Sequence, residues 1–243
     1  MNPYEYVDLH CHILPGIDDG AGDMAQSQRM LRMAAADGIR TVIATPHHKA
    51  HRRNASPETV TQLVARLQNW LNEEKIPIKL YTGNEILYRH ETDNLLEAKQ
   101  VCTLADSFYV LVEFSPKDDY AYIKHGVQEI QMAGYAPIVA HIERYDALAN
   151  HIDNIEELVD MGAYMQVNAS SVEGKHGFWE KRKILRWMKE GLIHFVATDA
   201  HDEEDRIPQI SKSAQVVAKK CGEDVAHRIY VEHPQYILQN KLI

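Results

Sequence analysis

Asp8-Leu9-His10-Cys11-His12, followed at once by Gly16-Ile17-Asp18-Asp19-Gly20, concentrates residue types that bind metal ions. If residues 4–12 are extended, His10 and His12 project from one face, so both imidazoles can reach one ion while Cys11 points the other way. The turn after Pro15 and Gly16 then offers Asp18 and Asp19 as oxygen ligands. The same chemistry recurs along the chain. The β-branched run Thr41-Val42-Ile43-Ala44-Thr45 is stopped by Pro46 and followed by His47-His48; neighbours diverge at a strand end, and His47, nearer the strand, is expected to face the site. Glu85 follows the run 78–82, and Glu113 sits within the apolar run 108–114, where a carboxylate is costly unless something positive faces it. His141 ends the run 136–140, with Glu143 and Arg144 beyond it, and Asp199-Ala200-His201 ends the run 193–198.

Taken singly, each residue has an ordinary explanation: His47 as a loop residue, Glu113 as a salt-bridged strand end, His141 as a satisfied core histidine. Collected, His10, His12, Asp19, His47, Glu85, Glu113, His141, Asp199 and His201 all lie within or just after the carboxyl end of a strand-like run. Five histidines with four carboxylates exceed the needs of one tetrahedral ion, and the mixture of nitrogen and oxygen suits manganese, iron or zinc rather than calcium. Two or three divalent ions are the economical reading.

Helices must separate those strands. Apolar residues at helical spacing predict helices over 24–37, closed by Gly38, and over 57–74, where Ser56 before Pro57 is a good start. Further helices are expected over 120–133, 153–161, 180–190 and 208–221, with short helical pieces over 225–242 and a solvated basic loop over 49–54. Alternating strands and helices imply a parallel sheet, and about seven such units imply a closed or nearly closed barrel, an open doubly wound sheet being the alternative. In a barrel the carboxyl ends of the strands share one face, so the nine candidates converge.

Composition narrows the function. A chain of 243 residues, 45% of them apolar, suits a single domain over 1–243, and a formal charge of -9 argues against nucleic acid or membrane insertion as its business. No apolar run reaches the ~18–20 residues of a membrane span. Three scattered cysteines without a C-x-x-C pair suit a reducing compartment, and a cytoplasmic location is expected. Fourteen histidines are the one figure that points to chemistry. Neither G-x-G-x-x-G nor G-x-x-x-x-G-K follows a strand, which leaves nucleotide cradling without support.

These motifs, with Thr45-Pro46-His47-His48, Gly83-Asn84-Glu85, Val112-Glu113-Phe114, Ala140-His141-Ile142-Glu143-Arg144-Tyr145 and Thr198-Asp199-Ala200-His201, resemble the polymerase-and-histidinol-phosphatase (PHP) superfamily. The contexts of Glu113, His141–Tyr145 and Gln166-Val167-Asn168 are similar to the bacterial manganese-dependent tyrosine-protein phosphatases of capsule and exopolysaccharide loci. The resemblance implies a distorted TIM-like (β/α)7 barrel with a trinuclear manganese centre. By position, His10, His12, Glu85 and Asp199 would hold one ion, Glu85, Glu113 and His141 a second, and Asp19, His47 and His201 the third. Arg144 and Arg206 match positions used for the substrate phosphate, although the acidic run Asp202-Glu203-Glu204-Asp205 just before Arg206 departs from the pattern.

The implied reaction is hydrolysis of phosphotyrosine in protein, the expected partner being the tail of an autophosphorylated bacterial tyrosine kinase. A phosphate monoester held across cations is open to in-line attack by water-derived hydroxide, with Arg144 and Arg206 gripping its oxygens through the guanidinium fork. A phenol leaves easily at a pKa of about 10, so little acid help is needed, and His201 could supply it. Cys11 has no C-x5-R loop and is not the nucleophile. Two alternatives remain: a small-molecule phosphoesterase such as a histidinol-phosphate phosphatase, and an amidohydrolase-type C–N hydrolase. Against the second, no strand-end lysine is present.

Overall fold

The structure, a computed structural model, describes residues 5–50, 52 and 54–243; the outermost residue of the expected first strand, residue 4, and residues 51 and 53 of the basic loop lie outside the described residues. The strands are β1 Tyr6–Cys11, β2 Ile39–Ala44, β3 His47–Lys49, β4 Lys79–Thr82, β5 Glu85–Leu87, β6 Tyr109–Glu113, β7 Ala136–Val139, β8 Tyr164–Asn168 and β9 Phe195–Ala197. The helices are α1 Met24–Asp37, α2 Pro57–Glu73, α3 Thr92–Glu97, α4 Tyr120–Met132, α5 Asp146–Ala149, α6 Ile152–Asp160, α7 Ala169–Glu173, α8 Phe178–Lys189, α9 Ser211–Cys221, α10 Glu223–His227 and α11 His233–Leu238. None is long and apolar enough to cross a membrane.

All strand pairs are parallel, in the orders β1-β2-β4 and β3-β5-β6-β7-β8-β9. β2 runs on into β3 across Thr45-Pro46, and β4 into β5 across Gly83-Asn84, so the two sheets form seven strand lines. A parallel bridge between Cys11 and Ala200 closes the ring, with Asp199 N donating to His10 O at 2.8 Å and His12 N to Ala200 O at 2.8 Å. The result is a distorted (β/α)7 barrel rather than an open sheet.

The breaks have a physical cause. Pro46 has no N–H to continue the ladder. Asn84 repairs the gap, donating from its side chain to Pro46 O at 2.9 Å and accepting from Cys102 N at 2.8 Å. Gly83 is required by close approach, because a Cβ there would lie 2.9 Å from Leu104 and 3.0 Å from Ile43.

Strand alternation sorts the side chains into two cores. Leu9, Ile43, Leu111, Ile138, Tyr164 and Phe195 fill the barrel with Tyr109 and Ile237, the last delivered by α11 at the base. Val42, Val110, Val112, Val139, Met165, Val167 and Val196 face outward onto the helices. There they meet Met30, Leu31 and Ala34 of α1, Val60, Val64 and Leu67 of α2, and Ile123, Val127 and Ile130 of α4. Asp23, Ser56 and Asp119 cap these three helices by accepting from the backbone N–H three residues on. Following the inward series upward explains the site: Ile43, Thr45, His47; Tyr81, Gly83, Glu85; Tyr109, Leu111, Glu113; Phe195, Ala197, Asp199. Each begins apolar in the barrel and ends ionisable at its mouth.

The expected strands and helices fall within two or three residues of their expected positions, whereas the short helices α3, α5 and α7 have no counterpart in the sequence reading. β3 and β5, three residues each, were not expected as strands, because a Pro or Gly-Asn interruption hides so short a continuation in sequence. The expected helical pieces at the end are α10, a π-helical turn over Arg228–Glu232, and α11.

His194 splices β8 to β9, donating its N–H to Met165 O at 3.0 Å while its Nδ1 accepts from Met165 N at 3.1 Å. Burial, then the charges of His233 and Arg228, push this imidazole down to about 4. Because the folded value lies below the ordinary 6.5, protonation favours the unfolded chain: the stabilisation is whole above pH 6.5 and is lost as pH falls towards 4. The amount at stake is about 3 kcal/mol. Urea midpoints should therefore fall more over that interval in the wild type than in His194→Asn, which keeps an acceptor for Met165 N without titrating.

Candidate metal centre

Glu85 lies at the middle of the mouth, 1% exposed. Its Oε1 is 2.8 Å from His141 Nε2 and 3.2 Å from His10 Nε2, while its Oε2 is 2.8 Å from His47 Nδ1 and 3.3 Å from His12 Nε2. Asp199 Oδ1 faces His10 Nε2 at 3.4 Å and His12 Nε2 at 3.5 Å. On one side Glu113 approaches His47 Nδ1 at 3.2 Å and His141 Nε2 at 3.8 Å. On the other, Asp19 Oδ1 lies 3.3 Å from His47 Nε2 and 3.5 Å from His201 Nε2. All nine candidates are thus brought together. The ligand atoms of seven of them group as His10, His12 and Glu85; as His47, Glu85 and Glu113; and as His12, Asp19, His47 and His201, while His141 and Asp199 border these groups through Glu85 Oε1 and through the Nε2 atoms of His10 and His12. His47 is therefore shared between two groups rather than confined to the set containing Asp19. Lys49 Nζ, 3.9 Å from Glu113, joins His47 as the positive charge that strand-embedded carboxylate requires. His48 is buried outside the cluster, and burial lowers its pKa.

The histidines are aimed by hydrogen bonds on their far nitrogens. His10 Nδ1 is held by Gln166 Oε1 at 3.2 Å, His12 Nδ1 by Asp18 Oδ2 at 2.8 Å, His141 Nδ1 by the Tyr145 hydroxyl at 3.1 Å and His201 Nδ1 by Asp199 O at 2.9 Å. That pattern fixes the tautomer and turns Nε2, lone pair inward, towards the cluster. Gln166 Oε1 also accepts from His141 N at 2.8 Å, its amide donates to Asn168 Oδ1 at 2.9 Å, and Asn168 donates to Asp199 Oδ2 at 2.9 Å. Asp8 anchors the base of this layer, accepting from Thr198 N at 2.9 Å and Thr198 Oγ1 at 2.5 Å. His141 and Asp199 take positive φ of 34° and 52°, a strained conformation for side chains with a Cβ, found where a site over-determines the backbone.

The first strand reaches the site by a different device. Its register with β2 shifts between Asp8 and Cys11, the mark of a bulge that re-aims side chains, and Cys11 packs outward. The loop beyond folds back on His12, with Ala21 N donating to His12 O at 3.1 Å. Gly20 passes so close that a Cβ there would sit 2.1 Å from His12 O.

The carboxylates of the cluster are balanced by protons that divalent ions could replace. Burial opposes ionisation of Glu85 and Asp199, but the surrounding histidines overcome it and hold both carboxylates well below their usual range. Against the effect of burial, Glu85 and Asp199 raise His10, Asp18 with Asp199 and Glu85 raises His12, and Glu113 with Glu85 lifts His47 to about 9. A cation bound here would displace those protons. Several buried atoms also lack an aligned hydrogen bond, among them Glu85 Oε2, Glu113 Oε1, His47 Nδ1 and His201 Nε2. His47 Nδ1 and Glu85 Oε2 are close but misaligned for a proton between them, as two ligands of a shared ion are. The donor set therefore fits divalent metal.

Arg144 Nη2 and Arg206 Nη2 both reach Asp199 Oδ2, at 2.8 and 2.6 Å. They flank a cavity of about 280 Å³ that is also lined by Asn168, Ser170, Lys175 and Lys212. The acidic run before Arg206 is a device for placing it. Asp202 Oδ1 accepts from the N–H of Glu204, Asp205 and Arg206 at 2.8, 2.6 and 3.0 Å, and Glu203 pairs with Arg29 at 2.7 Å. Asp18, offered by the sequence as an alternative metal ligand, instead orients His12, and sequence reasoning gave no role to Gln166, Asn168 or Tyr145. Gln166 and Asn168 carried a readable signal, being polar at alternate positions where β8 is otherwise apolar.

Residues 6–239 match the family described as capsular polysaccharide synthesis, CpsB/CapC. The chain belongs to this family. It is 33% identical to the tyrosine-protein phosphatase CpsB of Streptococcus pneumoniae over 98% of this chain and 100% of that protein. A crystal structure from work on YwqE from Bacillus subtilis and CpsB from Streptococcus pneumoniae, "unique metal-dependent tyrosine phosphatases", superposes with a TM-score of 0.92 at 35% identity, covering 98% of this chain and 96% of that one. Dihydropyrimidinase from Brevibacillus agri NCHU1002 shares the barrel alone, with a TM-score of 0.58 at 11% identity over 97% of this chain and 70% of that one.

Asp18 tests how far the aiming layer matters. Burial opposes its ionisation, yet the His12 hydrogen bond, with the N–H groups of Gly20 and His47, holds it down at about 2. Asp18→Ala removes all three contacts and should weaken metal binding by about ten- to a hundredfold, read by chelator competition.

Proposed function

We propose that the protein is a metal-dependent protein-tyrosine phosphatase using manganese, and that its substrate is the phosphorylated tail of a bacterial tyrosine kinase in capsule or exopolysaccharide synthesis. The observation that carries the reading is the pair of arginines converging on Asp199 at the edge of a nine-residue nitrogen and oxygen cluster. Phosphate chemistry needs positive charge on one side and ligand-rich carboxylate on the other, and Asp199 supplies the junction.

His10, His12, Asp19, His47, Glu85, Glu113, His141, Asp199 and His201 would hold the ions. Divalent ions bound there supply charge that polarises phosphoryl oxygens and make hydroxide available near neutral pH. Arg144 and Arg206, already oriented by Asp199, would take non-bridging oxygens of the phosphate in forked geometry. Lys175 and Lys212 line the same cavity with Glu173, Glu204 and Asp205, Lys212 being paired with Glu173 at 3.0 Å, which leaves Arg144 and Arg206 as the phosphate-binding pair. His201 fits ligation better than proton donation. Burial and the charges of His12 and Arg206 depress it to about 4, so it is neutral in the working range with Nε2 turned inward. Tyrosine, leaving with a pKa of about 10, requires little protonation.

Protein treated with a chelator and reloaded with manganese should release phosphate from a phosphotyrosine peptide, and faster than from histidinol phosphate. Absence of turnover with every divalent metal would overturn the assignment, and preference for histidinol phosphate would convert it to a small-molecule phosphoesterase. Arg144→Lys, which keeps charge but loses the fork, should lower kcat/KM by about ten- to a hundredfold while leaving metal content unchanged.

A further inference from the structure

A second grouping of ligand types lies outside the mouth, on the helical layer. His90, His125 and Glu129 place one ligand atom each within 4.8 Å of the other two. His125 and Glu129 are one turn apart on α4, with Nε2 and Oε1 separated by 3.2 Å. His90 comes from the segment between β5 and α3, its ring 5.6 Å from that of His125. An i,i+4 ion pair explains the first two residues and leaves the third, from a different element, without a reason to converge.

The three are held in place from below. Glu129 Oε2 accepts a short hydrogen bond from the Tyr88 hydroxyl, and the Tyr88 side chain is fully buried. The Tyr88 ring packs on Phe114 at 5.4 Å and Tyr122 at 5.1 Å, and His90 meets the edges of Tyr88 and Tyr122 at 6.1 and 5.7 Å. Gly126 permits this approach, since a Cβ there would lie 2.9 Å from both Tyr88 and Phe114. One ligand is thus fixed by a buried partner, a second by the helix, and the third by an aromatic shelf, which is the supporting shell a metal site needs.

We propose that His90, His125 and Glu129 bind one zinc-class divalent ion on the flank of the barrel, separate from the centre at its mouth. Two imidazoles and a carboxylate, with water completing a tetrahedron, are a zinc ligand set. Ligand atoms of such a tetrahedron are about 3.3 Å apart, near the observed His125 to Glu129 separation. With fewer carboxylates than the centre and two nitrogens, the flank site selects zinc, nickel or copper over manganese. The ion would tie the segment after β5 to α4.

The test uses the full chain loaded with manganese, titrated with zinc, beside a His90→Ala/His125→Ala variant. The wild type should take up one more equivalent of zinc than the variant, and cobalt should add a tetrahedral visible band that the variant lacks. Manganese-dependent turnover should be the same in both. Glu129→Gln, which changes charge but not size, should weaken the extra equivalent at least tenfold. Equal zinc uptake and equal cobalt spectra would overturn the proposal, as would loss of manganese-dependent turnover in the double variant, which would make the histidines part of the fold rather than a separate site.

Discussion

A carboxylate as deeply buried as Glu85 can stay ionised only where positive charge surrounds it, and the mouth of this barrel is built to that requirement. Four histidines from three strand ends, those of β1, β3 and β7, approach its two oxygens. Asp199 and Glu113 add further negative charge to the same small volume, which without metal is met by protons held on His10, His12 and His47. The demand for cations is therefore a property of the side chains themselves. Divalent metal satisfies it better than protons, because each ion replaces several of them and uses the inward lone pairs that the far-nitrogen hydrogen bonds expose.

The barrel makes that concentration of charge tolerable. Parallel strands place every carboxyl end on one face, and the ladder below is closed by apolar inward residues, so the electrostatic stress is confined to one layer. Backbone strain falls on the same layer, at His141 and Asp199. Gln166 and Asn168 join His10, His141 and Asp199 from three strands, and Asp18 joins His12 to the backbone of His47. Asp199 carries the furthest connection. One oxygen faces the histidines and the other both arginines, which couples the position of the ions to that of the group that would bind phosphate.

The sequence by itself determined the alternation of elements and the identities of the nine cluster residues. Asp19 apart, both follow from local periodicity: apolar runs of strand length, helices with Asp or Ser caps, and an ionisable residue within or just past each run. His47 was separable from His48 because adjacent residues on an extended segment face opposite ways. Asp19 was separable from Asp18 only by resemblance, and the structure gives the reason for the difference, since Asp18 is occupied by His12, Gly20 and His47.

Tertiary structure decided what depends on residues distant in the chain. Closure of the ring through Cys11 and Ala200, the continuation of β2 into β3 and β4 into β5, and the sharing of His47 between two ligand groups are not properties of any local stretch. Nor is the convergence of His90 with His125 and Glu129 across 35 residues, for which periodicity offers no sign. The acidic run before Arg206 reads in sequence as a competing charge; in the fold it is a turn whose Asp202 carboxylate collects three backbone N–H groups and presents the arginine. Local pattern fixes which side chains face a common surface, whereas the distances that make them a site arise only when the strands carrying them close into a ring.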